Sequence, residues 1–173
     1  MKLISDSVKE KMIWDKVYEK LGFHPSCSYR GHSMDVKLPF EIKETYAVYA
    51  VDEMTTTEID YLQNNMNRIF ASVLCKGKYM YALDWQHSSF IFNPAEPEEQ
   101  KNLWIEDRNY SGGGYYAYFP SFYPNGDYYF FIEEDFAFGF LGHPWRQEVW
   151  IFGDTLVKKT AEVYDSFGWK RLV

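Results

Sequence analysis

Residues 127–152, DYYFFIEEDFAFGFLGHPWRQEVWIF, carry the strongest β-strand signal in the sequence and decide the fold class. Asp127 to Ile132 is apolar after its first residue, Glu133 to Asp135 is a turn signal, and Phe136 to Leu141 is apolar again. Val149 to Phe152 follows after a short polar connection. Because short connections join neighbouring antiparallel strands, this stretch predicts a three-stranded antiparallel meander.

Helical patterns lie on both sides of the meander. The first predicted helix runs from a cap at residues 5–7 to Leu21, and the second begins at a capping box formed by Thr55 and Glu58. A third begins after Gly153. The positions expected to be buried are Val8, Met12, Val17, Leu21, Ile59, Leu62, Met66, Ile69, Val73, Leu156, Val157, Ala161, Tyr164 and Phe167.

Further strands are predicted at Tyr46–Val51, Tyr79–Leu83 and Phe90–Phe92, with one short helix ending at Trp104. Together with the meander they predict an antiparallel sheet of about five or six strands packed against three main helices. We therefore expect a single α+β domain over residues 1–173. Residues 106–126, EDRNYSGGGYYAYFPSFYPNG, are expected to form a long Gly/Tyr-rich loop within it.

Charge and composition narrow the classes of partner. The net charge of −7, without a cluster of Lys and Arg, argues against binding to duplex nucleic acid. The acidic charge favours either a basic protein partner or solubility alone, and charge by itself favours solubility. No apolar run reaches the ~18 residues of a membrane-spanning helix, and residues 1–14 do not resemble a signal peptide. The chain is therefore expected to be cytoplasmic, with Cys27 and Cys75 reduced and without a cofactor.

Aromatic residues make up 20% of the chain, including 15 Tyr and 14 Phe, which is more than a core of this size requires. Some of these rings are therefore expected at a contact surface. This excess, together with the acidic charge, favours a non-enzymatic protein-binding module, of which an immunity-type inhibitor of a basic toxin is one version. The candidate binding residues are Trp85, Tyr115, Tyr116, Tyr118, Tyr123, His143, Trp145 and Arg146.

The alternative is a small hydrolase acting on a polar or sugar-like substrate through His and Asp. Its candidate catalytic residues are Asp84, His87, Asp127 and His143, with a histidine as general base and an aspartate as its orienter or as an acid. Asp84 and His87 share a face only if a turn lies between them, and such residues also stabilise hairpin turns by local hydrogen bonds. His143, between Gly142 and Pro144, likewise suits either a site or a structural turn.

The sequence predicts no metal site, because His24, His32, His87 and His143 show no ligand spacing among them. A nucleotide phosphate loop is also not indicated. The three glycines at 112–114 are not followed by the Lys-Ser/Thr pair that such a loop requires.

Several segments resemble the bacterial domain of unknown function 2716 family, known mainly from Firmicutes. They are YALDWQH at 81–87, FYPNGDYYFF at 122–131, GFLGHPW at 139–145, IFG at 151–153 and the helical WDKVYEKLGFHPS at 14–26. The resemblance covers most of the chain and implies one intact bacterial cytoplasmic domain, without implying an activity. The Gly-rich segment 111–118 looks like an addition to the family's pattern.

Overall fold

A computed structural model describes residues 1–25 and 38–173, so Cys27 and His32 lie outside the described residues. It contains three α-helices, α1 (Ser7–Leu21), α2 (Thr56–Val73) and α3 (Asp154–Ala161). Its strands are β1 (Lys2–Leu3), β2 (Tyr46–Ala50), β3 (Met80–Asp84), β4 (Ser89–Phe92), β5 (Leu103–Glu106), β6 (Gly114–Ala117), β7 (Tyr129–Glu133), β8 (Gly139–His143), β9 (Glu148–Phe152) and β10 (Lys170–Arg171).

Eight of these strands form one antiparallel sheet in the order β1-β4-β3-β7-β8-β9-β2-β10. The predicted meander is confirmed, because β7, β8 and β9 are neighbours in sequence and in the sheet. The expected count of five or six strands is wrong. It omitted β1 and β10, which are two-residue strands at the sheet edges, as well as a separate two-stranded sheet of β5 and β6.

Side chains alternate between the two faces of the large sheet along each strand, and both faces carry apolar residues. Helices cover both faces. α1 packs on one face, where its Val17 lies in one buried cluster with Leu83 and Phe130. α2 and α3 pack on the other face, where Phe70 and Leu156 lie in a second cluster with Phe131. We call these the α1 face and the α2 face.

The three predicted helices are present, but α3 ends at Ala161, and Tyr164–Phe167, expected to continue it, form a separate 3-10 turn. The Thr55–Glu58 capping box forms as expected, and Asp6 caps α1 by accepting hydrogen bonds from backbone amides. Val8 and Met12 are exposed, however, while Ile13 is buried. The buried residues of α1 are Ile13, Val17 and Leu21, at a strict four-residue spacing, so burial begins only in the second turn of the helix.

The segment 106–126, expected to be a loop, contains strand β6, which pairs with β5 as a hairpin. The expected short helix before Trp104 is reduced to a 3-10 turn at Pro97–Glu99. Gly112 and Gly113 have positive φ angles of 91° and 79° and form the hairpin turn, a conformation that glycine adopts readily. Gly114 has no room for a side chain, because a Cβ would lie 2.8 Å from the Trp104 indole.

Gly153→Ala is expected to lower the free energy of unfolding by about 2–3 kcal/mol. An alanine is strained in a left-handed backbone conformation, and its methyl group would overpack the site. Gly153 has a φ of 95°, and its Cβ would lie 2.5 Å from that of Phe138. Gly77→Ala is the matched control, since Gly77 has a φ of 83° with no atom within 4 Å. Urea unfolding of both variants checks this, and equal losses would show that the steric contact is unimportant.

Candidate functional site

The turn between β3 and β4 brings Asp84 and His87 together. The His87 amide donates a 3.0 Å hydrogen bond to the Asp84 carbonyl, and Gln86 within the turn has a φ of 65°. The chain thus reverses between the two residues, which was the condition for their sharing a face. The His87 Nδ1 atom lies 3.2 Å from Asp84 Oδ1.

Asp127 reaches the same place from the segment that enters β7. The Trp85 amide donates a 3.1 Å hydrogen bond to the Tyr128 carbonyl, which joins the turn to this segment. Asp127 Oδ1 accepts 2.8 Å from the Tyr128 amide, and Asp127 Oδ2 lies 3.7 Å from His87 Nδ1. We refer to Asp84, His87 and Asp127 as the polar cluster.

Burial and neighbouring charges both shift the pKa values of the polar cluster. Asp84 is only 8% exposed, and this burial raises the pKa of its carboxyl group to about 6. His87 lowers the Asp84 pKa, and the Asp127 carboxylate raises it. Tyr129 is half-buried beside these carboxylates, and burial followed by the Asp84 charge raises its pKa. The side chain of His87 remains 63% exposed, so the cluster is accessible from its histidine side.

His143 does not join the polar cluster. It ends β8 on the α1 face, two residues after Leu141, whereas Asp84 follows Ala82 on the α2 face. His143 is 1% exposed, and its Nδ1 accepts a 3.3 Å hydrogen bond from the Arg146 amide. Its Nε2 lies 3.3 Å from the Tyr128 hydroxyl. The four candidate catalytic residues therefore do not form a single site.

Three other predicted binding residues, Trp145, Arg146 and Trp85, make contacts within the chain. Trp145 is 40% exposed and packs on Tyr128 with ring centroids 5.0 Å apart. Arg146 donates two hydrogen bonds, of 2.9 and 3.0 Å, to the Glu148 carboxylate. Trp85 is half-buried, and its indole N–H donates 3.2 Å to the Tyr18 hydroxyl.

A groove of about 470 Å³ lies between α1 and the turn that carries His87. Trp14, Tyr18 and Trp85 form its apolar side, and Glu10 and Asp15 are among its acidic residues. Of the polar cluster, His87 lines this groove, whose volume admits a small polar molecule.

The β5–β6 hairpin exposes a second candidate surface, made of Trp104, Tyr110, Tyr116 and Tyr118. These four side chains are 49–61% exposed. Trp104 and Tyr116 are directly paired across the strands with ring centroids 5.0 Å apart, and Tyr118 lies 6.1 Å beyond Tyr116. We call these residues the aromatic hairpin.

The aromatic hairpin agrees only in part with the predicted binding residues. Tyr116 and Tyr118 are exposed, whereas Tyr115 and Tyr123 are half-buried against the α2-face cluster. Trp104 was missed because it was placed at the end of a helix. The signal that identifies it is Leu103-Trp104-Ile105-Glu106, in which alternate residues are exposed as on a one-sided strand.

Comparison with known proteins places the chain in a family. The family model described as "Protein of unknown function (DUF2716)" matches residues 4–157. The chain belongs to this family. It is also 30% identical over 155 residues to the "Uncharacterized protein YxiI" of Bacillus subtilis (strain 168), across 87% of this chain and 86% of that protein. No solved structure matches.

The family resemblance can now be placed on the fold. The segment 81–87 contains β3 and the turn with His87, and the segment 122–131 contains Asp127 and the start of β7. Two of the segments that resemble the family in sequence thus supply the polar cluster, and the family match over residues 4–157 also spans the hairpin segment 111–118. Among residues 1–25 and 38–173, no helix combines the length and apolar character needed to cross a membrane.

Proposed function

We propose that the protein is a non-enzymatic binding module that holds a basic protein partner on the aromatic hairpin. The observation that supports this most strongly is the exposure of Trp104, Tyr116 and Tyr118 side by side, with ring centroids 5.0 and 6.1 Å apart. Large rings are normally withdrawn from water, and contiguous exposed aromatic residues mark contact surfaces.

The hairpin holds its rings before any partner arrives. The Trp104 indole packs over Gly114 and against Tyr116, and each ring has only two side-chain torsions to fix. Binding through such anchors loses little conformational entropy, which is why Trp and Tyr dominate binding hot spots. The preformed aromatic hairpin is therefore suited to binding a partner without chemical reaction.

Charge near the hairpin favours a basic partner. The chain from Glu96 to Tyr118 contains five acidic residues and two basic ones. Glu106 lies on the same exposed side of β5 as Trp104. A guanidinium group can stack on an exposed indole or phenol ring while it pairs with a carboxylate, so arginine is the side chain that this surface fits best.

An immunity-type inhibitor of a basic toxin is a concrete version of this proposal. The net charge of −7 would speed association with a cationic partner, and the aromatic hairpin would supply contacts that slow dissociation.

A Trp104→Ala/Tyr116→Ala double variant is expected to lose at least about tenfold in partner affinity, since hot-spot aromatics contribute more than 1 kcal/mol each. We would immobilise the wild-type chain, the double variant and a Tyr61→Ala variant separately, and incubate each with an extract of the native host. Tyr61 is a matched control because it is 48% exposed on α2. A stoichiometric basic protein should be retained by wild type and by the control only. Equal retention by the double variant, or no stoichiometric partner, contradicts the proposal.

A small hydrolase remains the second candidate, favoured by the convergence of Asp84, His87 and Asp127 beside the groove. His87 would act as general base toward a bound water, and Asp84 would orient it. Turnover of chromogenic esters and glycosides that His87→Gln abolishes and His24→Gln preserves would support this candidate. Absence of turnover in the wild-type chain would leave the binding module as the better account.

A further inference from the structure

We propose that the polar cluster binds one divalent transition-metal cation, with Asp84, His87 and Asp127 as its three protein ligands. Each residue offers one ligand atom, and these three atoms lie within 4.8 Å of one another. One imidazole and two carboxylates form a donor set used by zinc and its first-row neighbours.

The spacing of the ligand atoms fits an ion placed between them. Ligands bound 2.0–2.1 Å from a tetrahedral ion lie about 3.3–3.4 Å from one another. His87 Nδ1 lies 3.2 Å from Asp84 Oδ1 and 3.7 Å from Asp127 Oδ2. Two of the three separations are therefore within a few tenths of an ångström of coordination spacing, and the third, between the two carboxylates, is at most 4.8 Å.

The backbone around the cluster fixes the ligands in place. Asp127 is oriented because its other carboxylate oxygen accepts from the Tyr128 amide, which leaves Oδ2 directed toward His87. The turn carrying His87 is joined to the same segment by the hydrogen bond from Trp85 to Tyr128. Hydrogen bonds that orient metal ligands in this way raise affinity.

Charge and access also favour a cation at this position. His87 is the only basic side chain among the described residues within ion-pairing distance of Asp84 or Asp127. One imidazole does not neutralise two carboxylates when it is uncharged, whereas a divalent ion does. Because the His87 side chain is 63% exposed, an ion can enter and keep water in its remaining coordination positions.

A structural turn is the competing interpretation of the same contacts. The Trp85 carbonyl lies 3.1 Å from His87 Nδ1, so a proton on this nitrogen can be shared with backbone and carboxylate oxygens. A hydrogen-bonded turn would hold these atoms without binding a metal. Titration with metal ions distinguishes the two interpretations.

Zinc binding to the EDTA-treated full-length chain should be saturable at one ion per chain, measured by competition with a chromophoric zinc indicator. His87→Gln and Asp127→Asn are each expected to weaken zinc affinity by at least about tenfold. Even the loss of a residue that only hydrogen-bonds to a metal ligand typically weakens metal affinity by about that factor. His24→Gln is the matched control, since His24 Nε2 lies 3.2 Å from the Glu41 carboxylate with no third ligand among the residues that the structure describes. Its zinc affinity should be unchanged, and Mn²⁺ should bind more weakly than Zn²⁺.

Three further results complete the test. Circular dichroism of each variant should show a folded chain, and Asp84→Asn should lose zinc affinity while remaining folded. The Trp104→Ala/Tyr116→Ala variant should bind zinc normally, because the aromatic hairpin contributes no ligand. Absence of saturable binding, or zinc binding unchanged by His87→Gln and Asp127→Asn, would overturn the metal site and identify the cluster as a structural turn.

Discussion

Replacement of His143 by alanine is expected to lower the free energy of unfolding by about 3–5 kcal/mol, as for other buried aromatic side chains. The ring is 1% exposed and lies 4.7 Å from the Tyr128 ring and 6.2 Å from that of Trp145. Alanine leaves a cavity and removes the acceptor of the Arg146 amide. Both effects act at the connection between β8 and β9, the centre of the meander.

Urea denaturation at neutral pH measures this loss, with His24→Ala as the control because His24 is 42% exposed. The control should change stability by less than about 0.5 kcal/mol. Partner binding by the folded His143→Ala chain should be retained, since the proposed contact surface is the aromatic hairpin. A loss below about 1 kcal/mol, or folded protein that no longer binds, would instead assign His143 to a binding site.

Replacement of Asp84 by asparagine is expected to stabilise the metal-free protein by about 2–3 kcal/mol at pH 7, at about 1.4 kcal/mol per pKa unit. The carboxyl group has an ordinary pKa of 3.8, which burial raises to about 6 in the folded chain. The folded state therefore binds a proton at Asp84 more tightly, and the contribution of Asp84 to stability falls as the pH rises from about 4 to 6. Asparagine keeps a polar group beside His87 without the buried charge.

The pH dependence of the stability difference between Asp84→Asn and wild type tests whether the buried charge is the cause. In EDTA-containing buffer, the difference in unfolding free energy between Asp84→Asn and wild type should grow from pH 4 to pH 6 and then level off. Asp127→Asn should shift this pH dependence to lower pH, because it removes a charge that raises the Asp84 pKa. A difference that is independent of pH, or an asparagine variant less stable than wild type, would show that the Asp84 carboxylate stabilises the fold.

A carboxylate that lowers stability is informative about function. Residues that destabilise a fold are found at binding and catalytic sites, where the strained or buried group is needed. If Asp84→Asn stabilises the chain and abolishes zinc binding, both results have the same cause, because the buried negative charge would be stabilised by the cation.

The sequence predicted the parts of the fold that depend on local pattern. Residues 127–152 combine short turns with apolar runs, so the meander follows from chain geometry alone. The two-residue strands β1 and β10 lack such a pattern and depend on pairing with distant β4 and β2. The β5–β6 hairpin was missed because Gly112 to Gly114 are typical of loops, and here the glycines form the turn and accommodate the Trp104 indole.

The candidate site was predicted as separate pieces. Asp84, His87 and Asp127 were each identified, but their convergence depends on the pairing of β3 with β7, which places Tyr129 opposite Asp84. This pairing joins residues about 45 positions apart and leaves no mark in the local sequence. The position of His143 on the opposite face follows from strand register, and a one-residue shift would have reversed it.

Photocrosslinking in the native host tests the central proposal most directly. A benzophenone amino acid is placed at position 116 in the aromatic hairpin, or at position 61 on α2 as an equally exposed control. We expect one prominent adduct with a basic protein at position 116, absent at position 61 and lost when Trp104→Ala is added. No adduct at position 116, or the same adduct at both positions, would contradict it.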